Sequence, residues 1–140
     1  MRSREVAELI RDQRPLTMPP ETTLSAAAQA MHQRRVGAVL VTDPEGRLLG
    51  IFTGRDALRC LATGRDAATC TLAEVMTRNP QTIGPHATAM DALRLMNDMG
   101  VRHLPIVEEG RVVGIVSRYD FRAMEHRRLD EETGFFEILR

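Results

Sequence analysis

Gly50-Ile51-Phe52-Thr53-Gly54-Arg55-Asp56 returns sixty-four residues later as Gly114-Ile115-Val116-Ser117-Arg118-Tyr119-Asp120. In both copies an apolar run ends on a hydroxyl residue, and an acid follows one helical turn on. That is the pattern of a strand handing over to a capped helix. Two uses compete for the same atoms. In the first, the hydroxyl accepts from an amide of the helix's first turn and the acid reaches back to the cap residue, so the pair is a capping box. In the second, the helix N-terminus offers N–H groups and positive dipole to a phosphate, the hydroxyl adds a donor, and the carboxylate accepts both hydrogen bonds of a ribose diol. Arg55 and Arg118 stand beside these acids as phosphate partners. Glycine at 50 and 114 lets some other group approach the backbone closely.

The duplication extends far beyond this junction. Upstream, Val6-Ala-Glu-Leu-Ile10 is answered by Leu72-Ala-Glu-Val-Met76 at an offset of 66. Pro15, Thr17, Pro20, Thr23, Ala27, Met31 and Val36 recur at an offset of 65 as Pro80, Thr82, Pro85, Thr88, Ala92, Met96 and Val101. Gly46, Arg47, Gly50, Ile51 and Asp56 recur at 64 as Gly110, Arg111, Gly114, Ile115 and Asp120. The two one-residue shifts fall where turns are expected, so the chain is one unit written twice.

Each copy carries the same signals in the same order. A short helix (Val6 to Ile10; Leu72 to Met76) leads into an extended segment around Thr17 or Thr82, because Pro15 or Pro80 discourages a continuing helix. Thr23 or Thr88 then introduces an amphipathic helix, with Leu24, Ala27, Ala28, Met31 and Ala89, Ala92, Leu93, Met96 at helical spacing. Two strands follow, Ala38 to Val41 with Leu48 to Phe52, and Leu104 to Val107 with Val112 to Val116; Asp43-Pro-Glu-Gly46 and Glu108-Glu-Gly110 turn between them. A closing helix is expected directly after Thr53 and directly after Ser117. The expected division is 1–64 for the first unit, 65–71 for the linker, 72–126 for the second unit and 127–140 for a tail. Thr71 and Glu74 form a capping box where the second unit opens. Each unit is too small to cover its sheet alone, so the expected fold is α+β, two repeats packed sheet to sheet with pseudo-two-fold symmetry.

Composition narrows the function classes. The chain has 140 residues, 43% apolar and 27% charged, in the globular range. A chain of this size buries roughly 68% of its unfolded surface and needs neither disulfide nor metal to fold. Nineteen basic residues balance nineteen acidic ones, which argues against nucleic acid as a partner. Every basic residue is Arg, which removes lysine Schiff-base and P-loop chemistry. No run approaches the ~18 apolar residues of a membrane span, and the first ten residues carry two Arg and two Glu, so the expected location is cytoplasmic. Cys60 and Cys70 match neither a redox nor a zinc spacing and are expected as free thiols. His32, His86, His103 and His126 form no helical pair, and no nucleophile–base arrangement stands out. No metal site and no catalytic residue are expected.

With these motifs in place, the doubled unit resembles a tandem pair of CBS domains, a Bateman module, over about residues 6–126. The resemblance rests on Thr23-Leu-Ser-Ala-Ala27 to Met31, on Val101-Arg-His-Leu-Pro-Ile-Val107, and on the Gly-x-x-[Ser/Thr]-x-x-Asp that ends each hairpin. It implies a β-α-β-β-α core per unit, two clefts between the sheets, and a non-catalytic regulatory sensor without an obligatory cofactor. The implied ligands are AMP, ADP or ATP, with S-adenosylmethionine or NAD(H) behind them. Carried over residue by residue, Asp56 and Asp120 would hold ribose hydroxyls, and Thr53 and Ser117 would face phosphate. Thr17 and Thr82 would approach the adenine edge together with Gly37-Ala38 and His103-Leu104-Pro105. The copies differ where Gly37-Ala38-Val39 stands against Arg102-His103-Leu104, and Arg102 with Arg118 favours the second site for anions.

A structural dimerisation module without nucleotide binding is the competing reading. A homodimer is expected in either case, since helix faces bearing Met31, Met96 and Met99 should be partly uncovered. An effector protein is the further partner a sensor needs. The tail, with Phe135 and Phe136, has three open fates: docking on its own chain, a dimer contact, or a contact to another protein.

Overall fold

In the computed structural model, which describes residues 4–133, the two repeats fold into similar but not identical sets of elements. The first gives α1 (Val6–Leu9), β1 (Thr17–Met18), α2 (Leu24–Arg34), β2 (Ala38–Thr42), β3 (Leu48–Thr53) and α3 (Gly54–Ala62). The second gives α4 (Leu72–Val75), β4 (Thr77–Arg78), α5 (Ala89–Met99), β5 (His103–Glu108), β6 (Arg111–Ser117), a 3₁₀ turn (Arg118–Asp120) and α6 (Ala123–Thr133). The tail residues Phe135 and Phe136 lie outside the described residues.

Local chemistry sets the boundaries. Thr23 caps α2 by accepting the Ala26 N–H at 3.2 Å. Thr88 and Asp91 cap α5 reciprocally, at 3.1 and 3.2 Å. The Thr71 amide donates to Glu74 at 2.8 Å in the expected capping box of α4. Between β5 and β6 the two turn residues, Glu109 (φ 51°) and Gly110 (φ 80°), are both left-handed, the type I′ geometry that matches strand twist. Between β2 and β3 the Asp43 carboxylate accepts the Glu45 and Arg47 amides at 3.0 and 2.9 Å and holds the turn.

The compact units cut across the sequence repeats. One, here the Asp56 unit, is built from residues 14–81 and 107–112. Its four-stranded sheet runs β1-β2-β3-β4, with β1 parallel to β2 and the remaining pairs antiparallel. Leu24, Ala27, Met31, Val39, Val41, Phe52, Leu72 and Met76 fill its core, together with Cys60 and Cys70, both buried free thiols. The other, the Asp120 unit, is built from residues 4–13, 82–106 and 113–133. Val6, Ile10, Leu93, Met96, Leu104, Ile106, Val116, Phe121 and Leu129 fill its core.

Each unit therefore takes its lead helix from the other repeat, and the two motif glycines show why. A Cβ on Gly50 would stand 2.7 Å from both the Met76 sulfur and the Thr77 carbonyl oxygen. One on Gly114 would stand 2.8 Å from Ile10 and 2.9 Å from the Gln13 side-chain oxygen. The group that comes close to each glycine is a lead segment, Met76–Thr77 in one unit and Ile10–Gln13 in the other.

Two expectations are corrected. α6 does not begin after Ser117: a 3₁₀ turn intervenes, and Phe121 then extends (φ −97°, ψ 146°) before the helix starts at Ala123. Phe121 buries its ring in the core of its unit, whereas Ala57 at the matching position has no ring to bury and α3 runs on uninterrupted. Met31 and Met96, expected on partly uncovered faces, are 7% and 0% exposed and belong to the cores; of that group only Met99 is exposed. Among the described residues, no helix is long and apolar enough to cross a membrane.

Candidate functional site

At the end of β3 the hydroxyl–acid pair is closed on itself. The Asp56 Oδ2 accepts the Thr53 amide at 2.8 Å and its hydroxyl at 3.0 Å, while the Asp56 N–H donates to Thr53 Oγ1 at 3.4 Å. Arg59 donates to the second carboxylate oxygen at 3.3 Å. Asp56 is consequently only 6% exposed. Ala38 lies opposite Thr53 in the β2–β3 ladder, and the Gly54 amide donates to the Gly37 carbonyl at 3.0 Å. Gly37, Ala38, Thr53 and Asp56 are thus brought together, with Arg55 exposed beside them. Thr17 pairs in parallel with Leu40 and lines a groove of about 430 Å³ with Met18, Pro19, Thr42 and Asp43, toward the opposite end of β2.

The matching end of β6 forms the same reciprocal capping box but stays exposed to solvent. The Ser117 amide donates to Asp120 Oδ2 at 2.6 Å, and among the described residues nothing donates to the other oxygen. Asp120 is exposed, as are Arg102, Arg118 and Tyr119. His103, half-buried at the start of β5, faces Asp120 electrostatically: burial pushes its pKa down, the Asp120 carboxylate pulls it back up, and Arg102 adds to the lowering. Leu104 and Pro105 are buried beneath it. The Ile83 amide donates to the Pro105 carbonyl at 3.2 Å, which sets Thr82 alongside β5.

Three residues at this end lie outside the repeated motif. His126 Nε2 donates to the Arg118 carbonyl at 2.9 Å. Arg4 lies 3.4 Å from the Asp120 carbonyl and pairs with Glu125 at 2.5 Å. Only Glu125 leaves a trace in the sequence, as the acid three residues after Arg122, whose amide it accepts at 2.8 Å. Arg4 and His126 reach this turn through tertiary contact alone. No three His, Cys, Asp or Glu side chains among the described residues converge as a metal-ligand set.

The CBS domain family model matches the chain twice, at residues 6–63 and 72–126. The CBS domain-containing protein YhcV of Bacillus subtilis is 41% identical over 105 residues, 74% of each chain. The CBS domain-containing protein CBSCBSPB5 of Arabidopsis thaliana is 39% identical over 102 residues, and this chain spans only 19% of its length. Among solved structures, the CBS domain pair of MJ0100 in complex with 5′-methylthioadenosine and S-adenosyl-L-methionine superposes with a TM-score of 0.79 at 25% identity, covering 94% of this chain and 99% of that one. The CBS domain protein PAE2072 from Pyrobaculum aerophilum, complexed with AMP, has the same fold, with a TM-score of 0.81 at 23% identity over 91% of this chain and 98% of that one. With the family model matched over both repeats and the hydroxyl–acid junction at the end of each, the chain belongs to the CBS domain family and carries the domain as a tandem pair.

Proposed function

We propose that the chain is a non-catalytic regulatory module that binds an adenosine nucleotide at the Ser117–Asp120 end of β6. AMP, ADP or ATP is the favoured ligand, ahead of S-adenosylmethionine and NAD(H). The observation that carries this reading is the open carboxylate of Asp120, exposed and with one oxygen uncommitted, beside the cations Arg102 and Arg118. Such a carboxylate can accept a ribose diol while the guanidiniums meet phosphate. His103, Leu104, Pro105 and Thr82 supply the surface for the base. The adenosyl ligands of the MJ0100 domain pair support the ligand class. On this reading the module acts as a cytoplasmic homodimer and passes nucleotide occupancy to an effector protein.

At the Asp56 end a second reading has its own support. Both carboxylate oxygens are already committed, to Thr53 and Arg59, and the acid is buried. Thr53 and Asp56 there act first as the cap of α3, with Gly37, Ala38, Arg55 and Thr17 as a weaker or latent site.

A thermal-shift panel of AMP, ATP, NADH and S-adenosylmethionine tests the proposal. One occupied site at a hundred times Kd adds about 2.7 kcal/mol and raises the midpoint by roughly 9 °C. No shift with any of the four at millimolar concentration would overturn nucleotide binding and leave a structural dimerisation module.

A further inference from the structure

The 3₁₀ turn that carries Asp120 holds its own carbonyls only weakly. In α3 the matching residues open a continuing helix, whose later amides take up the first-turn carbonyl oxygens. After Asp120 the chain instead extends at Phe121, whose amide gives the Arg118 carbonyl only a long contact of 3.5 Å, so the turn's acceptors draw on donors elsewhere. Two side chains provide them, one at each end of the turn. His126 donates to the Arg118 carbonyl at 2.9 Å, and Arg4 reaches the Asp120 carbonyl at 3.4 Å.

Arg4 is itself fixed at two further points. Its main-chain carbonyl accepts the Ala89 amide at 2.6 Å, which ties it to the start of α5. Its guanidinium grips Glu125 in the first turn of α6 through two nitrogens, at 2.5 and 3.2 Å. Glu125 Oε1 also accepts the Arg122 amide at 2.8 Å, so the carboxylate is held from two directions. Burial would raise the Glu125 pKa, but the Arg4 hydrogen bonds and charge, together with the Arg122 amide, outweigh it and keep the group ionised. The turn is therefore clamped between α5 and α6 by a residue more than a hundred positions away in sequence.

We infer that Arg4 is a positioning residue for the nucleotide site of the Asp120 unit. This rests on the reading of Asp120 as a ligand group. By holding the Asp120 carbonyl, Arg4 fixes the turn on which the carboxylate, the Ser117 hydroxyl and Arg118 are mounted. A bidentate ligand such as a ribose diol needs that carboxylate in one orientation, and each degree of freedom frozen beforehand is one the ligand need not freeze. The segment preceding α1 thereby becomes part of the affinity of a site formed by the second repeat.

The test is a titration of the full chain with AMP, followed by amide resonances at 117–121 and at 53–57, which report the two ends separately. Arg4→Met keeps the aliphatic stem and removes the donors; affinity read at 117–121 is expected to fall about tenfold, the scale of one charged hydrogen bond. Arg4→Lys, which keeps the charge and one donor, is expected to recover part of the loss. Amide exchange at Tyr119 and Phe121 is expected to quicken in Arg4→Met without ligand, while Leu93 and Met96 in α5 stay protected. If wild type binds AMP and Arg4→Met binds it equally well at 117–121, the positioning role is overturned while the nucleotide reading stands. If wild type shows no AMP response at either end, the nucleotide reading fails and the positioning role fails with it.

Discussion

The side-chain amide of Gln13 pairs with both main-chain groups of Ile115: its Nε2 donates to the carbonyl at 2.6 Å and its Oε1 accepts the N–H at 2.7 Å. In the Asp56 unit the matching residue, Ile51, is partnered by the main chain of Thr77 in β4. One side chain thus does in one unit what a strand does in the other, and it covers main-chain groups of β6 that would otherwise stand open.

Replacing Gln13 by Glu is expected to break half of this pairing. A carboxylate can accept from the Ile115 amide but has no proton for its carbonyl, which is left partly buried without a donor. The cost is expected at about 1–3 kcal/mol, read as a lower urea midpoint at an unchanged m-value. An unchanged midpoint would mean that solvent already serves that carbonyl.

Gly114→Ala and Gly50→Ala are each expected to destabilise by roughly 1–3 kcal/mol, because an added methyl has no room against the lead segment. The two differ in what must yield. At Gly50 the obstacle includes the Thr77 carbonyl, a fixed main-chain atom; at Gly114 it is the Ile10 side chain and the Gln13 amide. Gly114→Ala and Gln13→Ala therefore share one contact, and the double variant is expected to lose less than the sum of the singles. Strict additivity in denaturant unfolding would show the two contacts to be independent.

Much of this architecture was legible because its signals are local. Hydroxyl residues at 23, 53, 71 and 88 start helices through atoms three positions away, and the alternating runs around Val39, Phe52, Ile106 and Val116 become strands. What the repeat could not reveal is contact over distance. Ile10 sits against Gly114 and Met76 against Gly50, so the compact units exchange their lead segments; the glycines announced a close approach without saying by what. The 3₁₀ turn was hidden for a different reason. Ser117-x-x-Asp120 has the same capping signal as Thr53-x-x-Asp56, and only the burial of Phe121, where the first repeat has Ala57, diverts the chain. The candidate site shared this limit: its motif residues were readable, and Arg4 and His126 were not.

The pH dependence of stability should carry the mark of His103. Burial holds its folded pKa below the ordinary value near 6.5, so the unfolded chain takes up a proton first as pH falls. The stabilisation is fully present above the unfolded pKa and is lost as pH drops toward the folded one. Stability should decline as pH falls through and below the ordinary histidine value of about 6.5, and His103→Gln should flatten that decline. Glu125, where burial is outweighed by the Arg4 hydrogen bonds and charge together with the Arg122 amide, and Glu132, held down by hydrogen bonds from Arg94 against slight desolvation, add losses only at lower pH. An unchanged slope in His103→Gln would place the neutral-range titration elsewhere.

With Met31 and Met96 in the cores, the expected dimer must use other apolar residues. Leu58 and Leu61 on α3 are 66% and 78% exposed and lie one turn apart. Sedimentation should give twice the chain mass for wild type, and Leu61→Glu should shift it toward the monomer with little change in the unfolding of the isolated chain. A wild-type monomer at all concentrations, or a Leu61→Glu dimer as tight as wild type, would remove α3 from the interface.

Replacing the two acids by their amides separates ligand group from helix cap. Asp120 is exposed and committed through one oxygen, so Asp120→Asn removes the charge that accepts a diol while leaving an amide oxygen for the Ser117 N–H. Nucleotide affinity should fall by about 1.5–3 kcal/mol, with stability changing by no more than about 1 kcal/mol, the scale of an acid in a helix's first turn. Asp56 is the opposite case. Its oxygens face the Thr53 amide, the Thr53 hydroxyl and Arg59, and Asp56→Asn turns an NH₂ toward one of those donors. Asp56→Asn should therefore cost stability, by about 1–3 kcal/mol, and affect AMP titrations far less than Asp120→Asn. If the pattern inverts, with Asp120→Asn destabilising and nucleotide binding untouched, the Ser117–Asp120 pair is a cap and the ligand site lies elsewhere in the chain.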